Sequence, residues 1–174
     1  TVGGLSTMTN ALLASGGVRP IGSLRHVQLK RGGRLMQELD LYDLLLGGDT
    51  HADARLQAND VIFVPPVGRT VSIVGEVRRP AIYELDREQG VAELVALAGG
   101  MTAQADPRST TIERIDEQHE RTVATVDLST DAGRAERLRA GDLVRLRSVP
   151  PLVTSAVTLA RAICTRMPAP KNHT

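Results

Sequence analysis

The chain contains no tryptophan, one phenylalanine and two tyrosines among 174 residues, so flat aromatic faces for stacking a sugar ring or a base are scarce. Its single cysteine, Cys164, excludes an internal disulfide and any cysteine-built zinc site within the chain. That count fits reducing and oxidising compartments equally. Only Lys30 and Lys171 are lysines, leaving arginine as nearly all of the 21 basic residues. With 20 acidic residues the formal net charge is +1, and the excess is spread evenly along the chain, which excludes the basic footprint that nucleic-acid binding requires. No stretch approaches the roughly 20 apolar residues of a membrane-spanning helix. The opening Thr1-Val2-Gly3-Gly4 has neither the basic nor the apolar region of an export signal. The expectation is either a cytosolic protein or an interior piece of a longer exported one, and the internal repeat below favours the second.

Catalytic signatures are missing too. There is no Gly-x-Ser-x-Gly, phosphate-binding loop, dinucleotide fingerprint or His-Glu-x-x-His. His26, His51, His119 and His173 share no metal-ligand spacing and read as solvated. Pairs such as Asp40 with Asp43, or Asp116 with Glu117, read as turn and solubility residues. No catalytic residue, metal site or cofactor is expected.

What is present is a 41% hydrophobic content, enough for a packed core, and a patterned stretch in mid-chain. Val71-Ser72-Ile73-Val74-Gly75-Glu76-Val77 reads as a strand, Arg78-Arg79-Pro80 as a surface turn, and Ala81-Ile82-Tyr83-Glu84-Leu85 as a returning strand. Gly75 inside the first strand suggests a bulge or a close backbone approach.

The segments around this hairpin occur twice. Thr7 caps a helix with Met8, Ala11, Leu12 and Ser15 on one face, closed by Gly16-Gly17; Gly90 precedes Val91, Leu94, Val95 and Ala98 at the same spacing, closed by Gly99-Gly100. Strand pairs follow: 25–30 with 34–41 across Arg31-Gly32-Gly33, and 110–115 with 122–128 across 116–121. A less regular segment comes next, in the first copy Tyr42-Asp43-Leu44-Leu45-Leu46, read as one or two helical turns ending at Gly47-Gly48. Last, Leu56-Gln57-Ala58-Asn59-Asp60-Val61-Ile62-Phe63-Val64-Pro65 matches Leu138-Arg139-Ala140-Gly141-Asp142-Leu143-Val144-Arg145-Leu146. Asn59-Asp60 and Gly141-Asp142 are turn pairs that permit positive φ before a closing strand. The pattern is α+β, a mixed sheet on one main helix, repeated.

Gly75 to Pro80, Leu94 to Gly100 and Ala140-Gly141-Asp142 with its closing strand together resemble the soluble-ligand-binding β-grasp (SLBB) domain. On that resemblance residues 1–66 form a first copy lacking its opening strand, and 67–151 form a complete second copy. Residues 152–174 are a tail that either begins a degenerate third copy, Val157-Thr158-Leu159-Ala160 being its entry and Arg161 standing where glycine is expected, or forms an amphipathic segment. Tandem SLBB domains are typical of bacterial outer-membrane polysaccharide export proteins. The resemblance therefore implies a non-enzymatic periplasmic module at the outer membrane that scaffolds a ring-shaped conduit. It implies as partners the exported capsular or extracellular polysaccharide, further copies of the chain, and an inner-membrane co-polymerase or kinase, with the export domain and lipid anchor of such proteins lying upstream.

A module that itself grips sugar or another small soluble ligand is the alternative, and an intracellular β-grasp adaptor a third reading. For direct binding the candidates are Arg78 and Arg79, whose guanidinium groups can pair with uronate carboxylates, with Gln104 and Asp106 on the loop after the helix. A solvated turn is the competing reading of the arginines. Of the aromatics, Phe63 reads as core, while Tyr42 and Tyr83 are the two open to partial exposure.

Overall fold

The computed structural model describes residues 6–86, 90–116 and 118–150; the tail, and with it the choice between a third copy and an amphipathic segment, lies outside the described residues. Helix α1 is Met8–Ala14, capped by the Thr7 hydroxyl, which accepts from the Asn10 N–H. Gly16 and Gly17 follow with positive φ, and the Gly17 N–H returns to the Leu12 carbonyl. Strands β1 (Val27–Arg31) and β2 (Arg34–Leu39) form a hairpin whose two-residue turn, Gly32-Gly33, has positive φ at both positions. A π-helical turn, Asp43–Gly47, ends at Gly48 with φ 72°. Strand β3 (Asp60–Phe63) then pairs antiparallel with β1, giving the sheet order β2-β1-β3. Met8, Leu12, Val27, Leu29, Leu39 and Leu41 are the core beneath it.

The second sheet opens with β4 (Arg69–Gly75) and β5 (Ala81–Leu85), the expected hairpin. Helix α2 (Val91–Leu97) follows, with the Glu93 carboxylate accepting from the Gly90 N–H. Strands β6 (Ala105–Ile115) and β7 (Arg121–Val126), a short helix α3 (Asp131–Arg134) and β8 (Leu143–Ser148) complete the order β5-β4-β8-β6-β7. The fold class is mixed α+β, as expected. Val71 and Ile73 of β4, Leu94 of α2, Ala98 at its C-terminal cap and Val144 of β8 meet in its core, each at most 1% exposed.

Several readings change, two of them in the strands. Strand β6 begins five residues earlier than its aliphatic run suggests, because Ala105 and Asp106 pair with Ser148 and Arg147 before Pro107, which lacks an N–H, and regular pairing resumes only at Thr111. Phe63 is not core: at 43% exposure it stands on the outer face of β3 under the Lys30 ammonium, 4.3 Å from the ring centroid. Ile62 and Val64 alternate with it and face inward; in a run of consecutive apolar residues that alternation is invisible.

Several contacts recur in both halves. The bridge Thr7 to Arg55 reappears as Gly90 to Arg137. Arg31 holds Asp60 through two hydrogen bonds of 2.7 and 2.9 Å, and Arg114 holds Asp142 through two of 2.8 and 2.7 Å. Each carboxylate also accepts the N–H three residues before it, from Gln57 or Arg139, both at 2.8 Å. The preceding residues, Asn59 and Gly141, have φ of 68° and 85°, as the turn pairs require.

The sheets join along β5. The Glu84 carboxylate, 4% exposed, accepts the Leu24 N–H at 2.9 Å and the Gly68 N–H at 2.8 Å. The Glu84 N–H in turn donates to the Tyr42 hydroxyl, and the Tyr42 and Tyr83 rings meet edge to face with centroids 6.0 Å apart. Both tyrosines are buried rather than partly exposed.

Gly75 has φ 87°, and a methyl group built there would overlap the Leu146 carbonyl oxygen of β8. The close approach suggested by the sequence is therefore between paired backbones. Gly75→Ala is expected to cost at least about 2 kcal/mol and lower the thermal midpoint by about 5 °C or more. A midpoint within a degree of the parent in calorimetry would contradict the contact. Asp60 gives a second check: the Arg31 guanidinium, helped by the Gln57 N–H, holds its carboxyl down to about 2. A depressed folded-state value means the stabilisation is fully present above about pH 4 and is lost as the pH falls through about 2. In Arg31→Met the carboxyl is expected to titrate nearer its ordinary 3.8, so that this acid-sensitive stabilisation largely disappears; carbon-13 NMR of the side-chain carboxyl reads the midpoint directly, and an unchanged titration would refute the pairing.

Candidate functional site

The Arg78-Arg79 turn is strapped to the end of α2. The Arg78 N–H donates to the Gly100 carbonyl at 3.1 Å and the Arg79 N–H to the Ala98 carbonyl at 3.0 Å. Tyr83 donates its hydroxyl proton to the Arg79 carbonyl at 2.8 Å. The Arg79 guanidinium lies against Gly99 and donates to the Leu97 carbonyl at 3.3 Å, placing positive charge at the negative end of the helix dipole. A glycine pair serves here twice: it supplies the positive φ that ends α2, and it leaves room for the arginine.

From that position Arg79 lines a cleft of about 610 Å³ between the two sheets. Its other wall carries Arg25, Tyr42, Asp43 and Asp49, with Glu93 beside Arg79. Arg25 is 6% exposed; its guanidinium stacks 4.4 Å from the Tyr42 ring centroid and reaches the Asp40 carboxylate at 3.3 Å. Burial pushes the Asp40 carboxyl above its ordinary value, and the Tyr42 N–H and Arg25 pull against that shift without cancelling it. Burial likewise raises the Tyr42 phenol, whose oxygen accepts the Glu84 N–H. The cleft therefore offers hydrogen-bond donors and acceptors of both charges on a rigid aromatic backing.

The four residues singled out from the sequence are not gathered at one place. The bridge between Val77 and Met101 does bring the arginine turn against the start of the loop after α2. Arg78 is exposed beside that loop, and Arg79 turns into the cleft. Gln104 is exposed, and its backbone carbonyl accepts the Val149 N–H at 2.8 Å. Asp106 lies in β6 rather than in the loop; its carboxylate accepts the Arg108 backbone N–H at 3.1 Å and the Arg108 Nε–H at 3.3 Å. That backbone N–H is the main reason its carboxyl lies below the ordinary range. Neither Gln104 nor Asp106 lines the cleft. Arg25 has no local signal in the sequence, and Tyr42 stands out there only as an aromatic, because both reach the cleft from the first half and nothing local announces a partner so distant in the chain.

Among the described residues no group of three or more His, Cys, Asp or Glu is placed to hold a metal ion, and no helix is long and apolar enough to cross a membrane. Two curated proteins, both called polysialic acid transport protein KpsD and both from Escherichia coli, are 33% identical to the chain over 93 residues. That match takes in 53% of this chain and 16% of the length of each relative. Residues 70–127, running from β4 through β7, match the SLBB domain family, and this stretch is one SLBB domain.

Proposed function

We propose that the chain is a non-enzymatic module of a polysaccharide export protein, working at the periplasmic face of the outer membrane as part of an oligomeric conduit. The observation that carries this reading is the SLBB match at 70–127 together with the likeness to polysialic acid transport proteins. Its partners are the exported polymer, further copies of the chain, and an inner-membrane co-polymerase or kinase. We further propose the division into a reduced first copy at 1–66, a complete copy at 67–151, and a tail at 152–174 that begins a third. The recurring Arg–Asp pairs, bridges and positive-φ turns support the first two. A small domain buries a modest share of its surface, which suits rigid pairing along the Glu84 seam.

The second reading, direct binding of an acidic sugar by Arg78 and Arg79, draws support from the placement of Arg79 in a polar cleft with Arg25 and Tyr42. Gln104 and Asp106 would contribute only if Asp106 gave up its contacts to Arg108.

A chimera tests the first reading. Replacing the matched stretch of a polysialic acid transport protein with the corresponding stretch of this chain is expected to preserve surface polysialic acid, measured by antibody on whole cells. A chimera that accumulates normally in the periplasm and leaves the polymer inside would overturn it. The second reading is checked by an amide NMR titration of the full chain with short acidic and neutral oligosaccharides up to millimolar concentration. Scaffolding alone predicts flat spectra, whereas direct binding predicts saturable shifts around Arg78 and Arg79 that disappear in Arg79→Ala.

A further inference from the structure

The seam between the two halves has a second rung. The Glu84 carboxylate holds the Leu24 N–H at 2.9 Å, and two residues further along each segment His26 faces Asp86, with Nε2 3.9 Å from Oδ1. The other ring nitrogen, Nδ1, lies 3.0 Å from the Glu38 Oε1 of β2. The backbone carrying the ring is well anchored. The buried Ser23 hydroxyl accepts the Arg25 N–H at 3.1 Å and the His26 N–H at 3.0 Å, while the Ser23 N–H donates to the Pro65 carbonyl at 2.8 Å. The ring thus hangs from the same short segment as the Leu24 bond, and at 39% exposure it can trade protons with solvent directly.

A neutral imidazole carries one N–H and can donate to only one of two carboxylates, whereas an imidazolium donates from both nitrogens. Carboxylates on both sides of the ring therefore favour its charged form. Most other charged groups around it act in the same direction. A cavity of about 320 Å³ beside the ring is lined by Glu38, Asp40, Asp43 and Asp86 together with Arg25, and Glu84 adds its charge from β5. Against them stand Arg25, engaged with Asp40, and Arg69, bonded to the Asp86 carbonyl oxygen at 3.2 Å. The Glu38 hydrogen bond is the main cause holding the ring above its ordinary 6.5; partial burial opposes it, and the charges of Glu38, Asp86 and Glu84 add to it. A raised folded-state value means the stabilisation is fully present below about pH 6.5 and is lost as the pH rises through the folded-state value.

We infer that His26 is a proton-controlled latch between the halves, bridging Glu38 of the first to Asp86 of the second when it is charged. In that form it reinforces the neighbouring grip of Glu84 on Leu24 and Gly68. Neutral, it keeps at most one of its two carboxylates, and the seam slackens. Arg25 and Tyr42 reach the cleft from the first half and Arg79 from the second, so the latch also sets the spacing of the cleft walls. The inference does not rest on the export reading.

Two NMR measurements on the full chain test it, the titration of the His26 ring and the hydrogen-exchange protection factors of the Leu24 and Gly68 amides, which divide out the intrinsic pH dependence of exchange. In the parent the ring is expected to titrate above 6.5, and protection at both amides to fall at least about twofold as the ring loses its proton. Asp86→Asn is expected to lower the ring's midpoint by at least about 0.3 and to shrink that fall. In His26→Gln the fall should be absent. A ring midpoint at or below 6.5, a midpoint unmoved in Asp86→Asn, or a fall of the same size in His26→Gln would each overturn the inference. Asp86→Asn keeps the side chain's size and leaves the Glu38 contact in place, so it decides the matter even where His26→Gln fails to fold.

Discussion

The parallel pairing of β4 with β8 is the contact on which the second sheet depends. It joins residue 72 to residue 143, so the loop it closes contains α2, β6 and β7. Closing a loop of that length costs entropy that burial in the core must offset. The geometry leaves little slack. Glycine at position 75 lets the β4 backbone reach the Leu146 carbonyl, and the Glu76 N–H donates to that same carbonyl at 3.1 Å. Past that point the chain turns through Arg78-Arg79, so the pairing also sets where the arginines stand relative to α2.

A second constraint operates at the other end of the closing strands. Asp60 and Asp142 are nearly sealed from solvent, with 2% and 0% of their side chains exposed. A buried carboxylate is costly unless its oxygens are met, and here a two-pronged arginine and a backbone N–H meet them. The arginine comes from the strand alongside and the N–H from the turn just before. The pair therefore fixes turn, strand start and neighbour together, and removing one partner would leave the other charge stranded. The same three-part arrangement serves a three-stranded and a five-stranded sheet among the described residues, so it acts locally.

The elements governed by local chemistry were legible in the sequence. The Thr7 cap, the glycine pairs after both helices, the Gly32-Gly33 turn and the positive φ of Asn59 and Gly141 follow from what single residues permit, and each stands where the pattern placed it. Features decided by distant partners were not legible. Glu84 sits between two buried residues of β5 and is itself buried, because one face of that strand meets its own core and the other meets Leu24. Alternation in the sequence says nothing about a second cover. Phe63 failed for the opposite reason: an apolar residue was read as inward although the outer face of β3 has no cover among the described residues. In the candidate site, the surface placement of Arg78 was readable from the turn, while the cleft that receives Arg79 needed both sheets.

That dependence bears on what the cleft can do. One wall hangs from the first sheet through Arg25 and Tyr42, the other from α2 through Arg79 and Glu93. The walls are held in register by Glu84, whose two oxygens grip backbone N–H groups from Leu24 and Gly68, and by the hydroxyl of Tyr42 on the Glu84 N–H. All three are backbone-anchored bonds in a buried place, where an unmade hydrogen bond is expensive, so a small rotation at the seam would break them together. The cleft is therefore preorganised by the seam instead of by its own lining. Arg79 stays bonded at the helix end and Arg25 at Asp40, so a ligand entering between them meets donors whose orientation is already set.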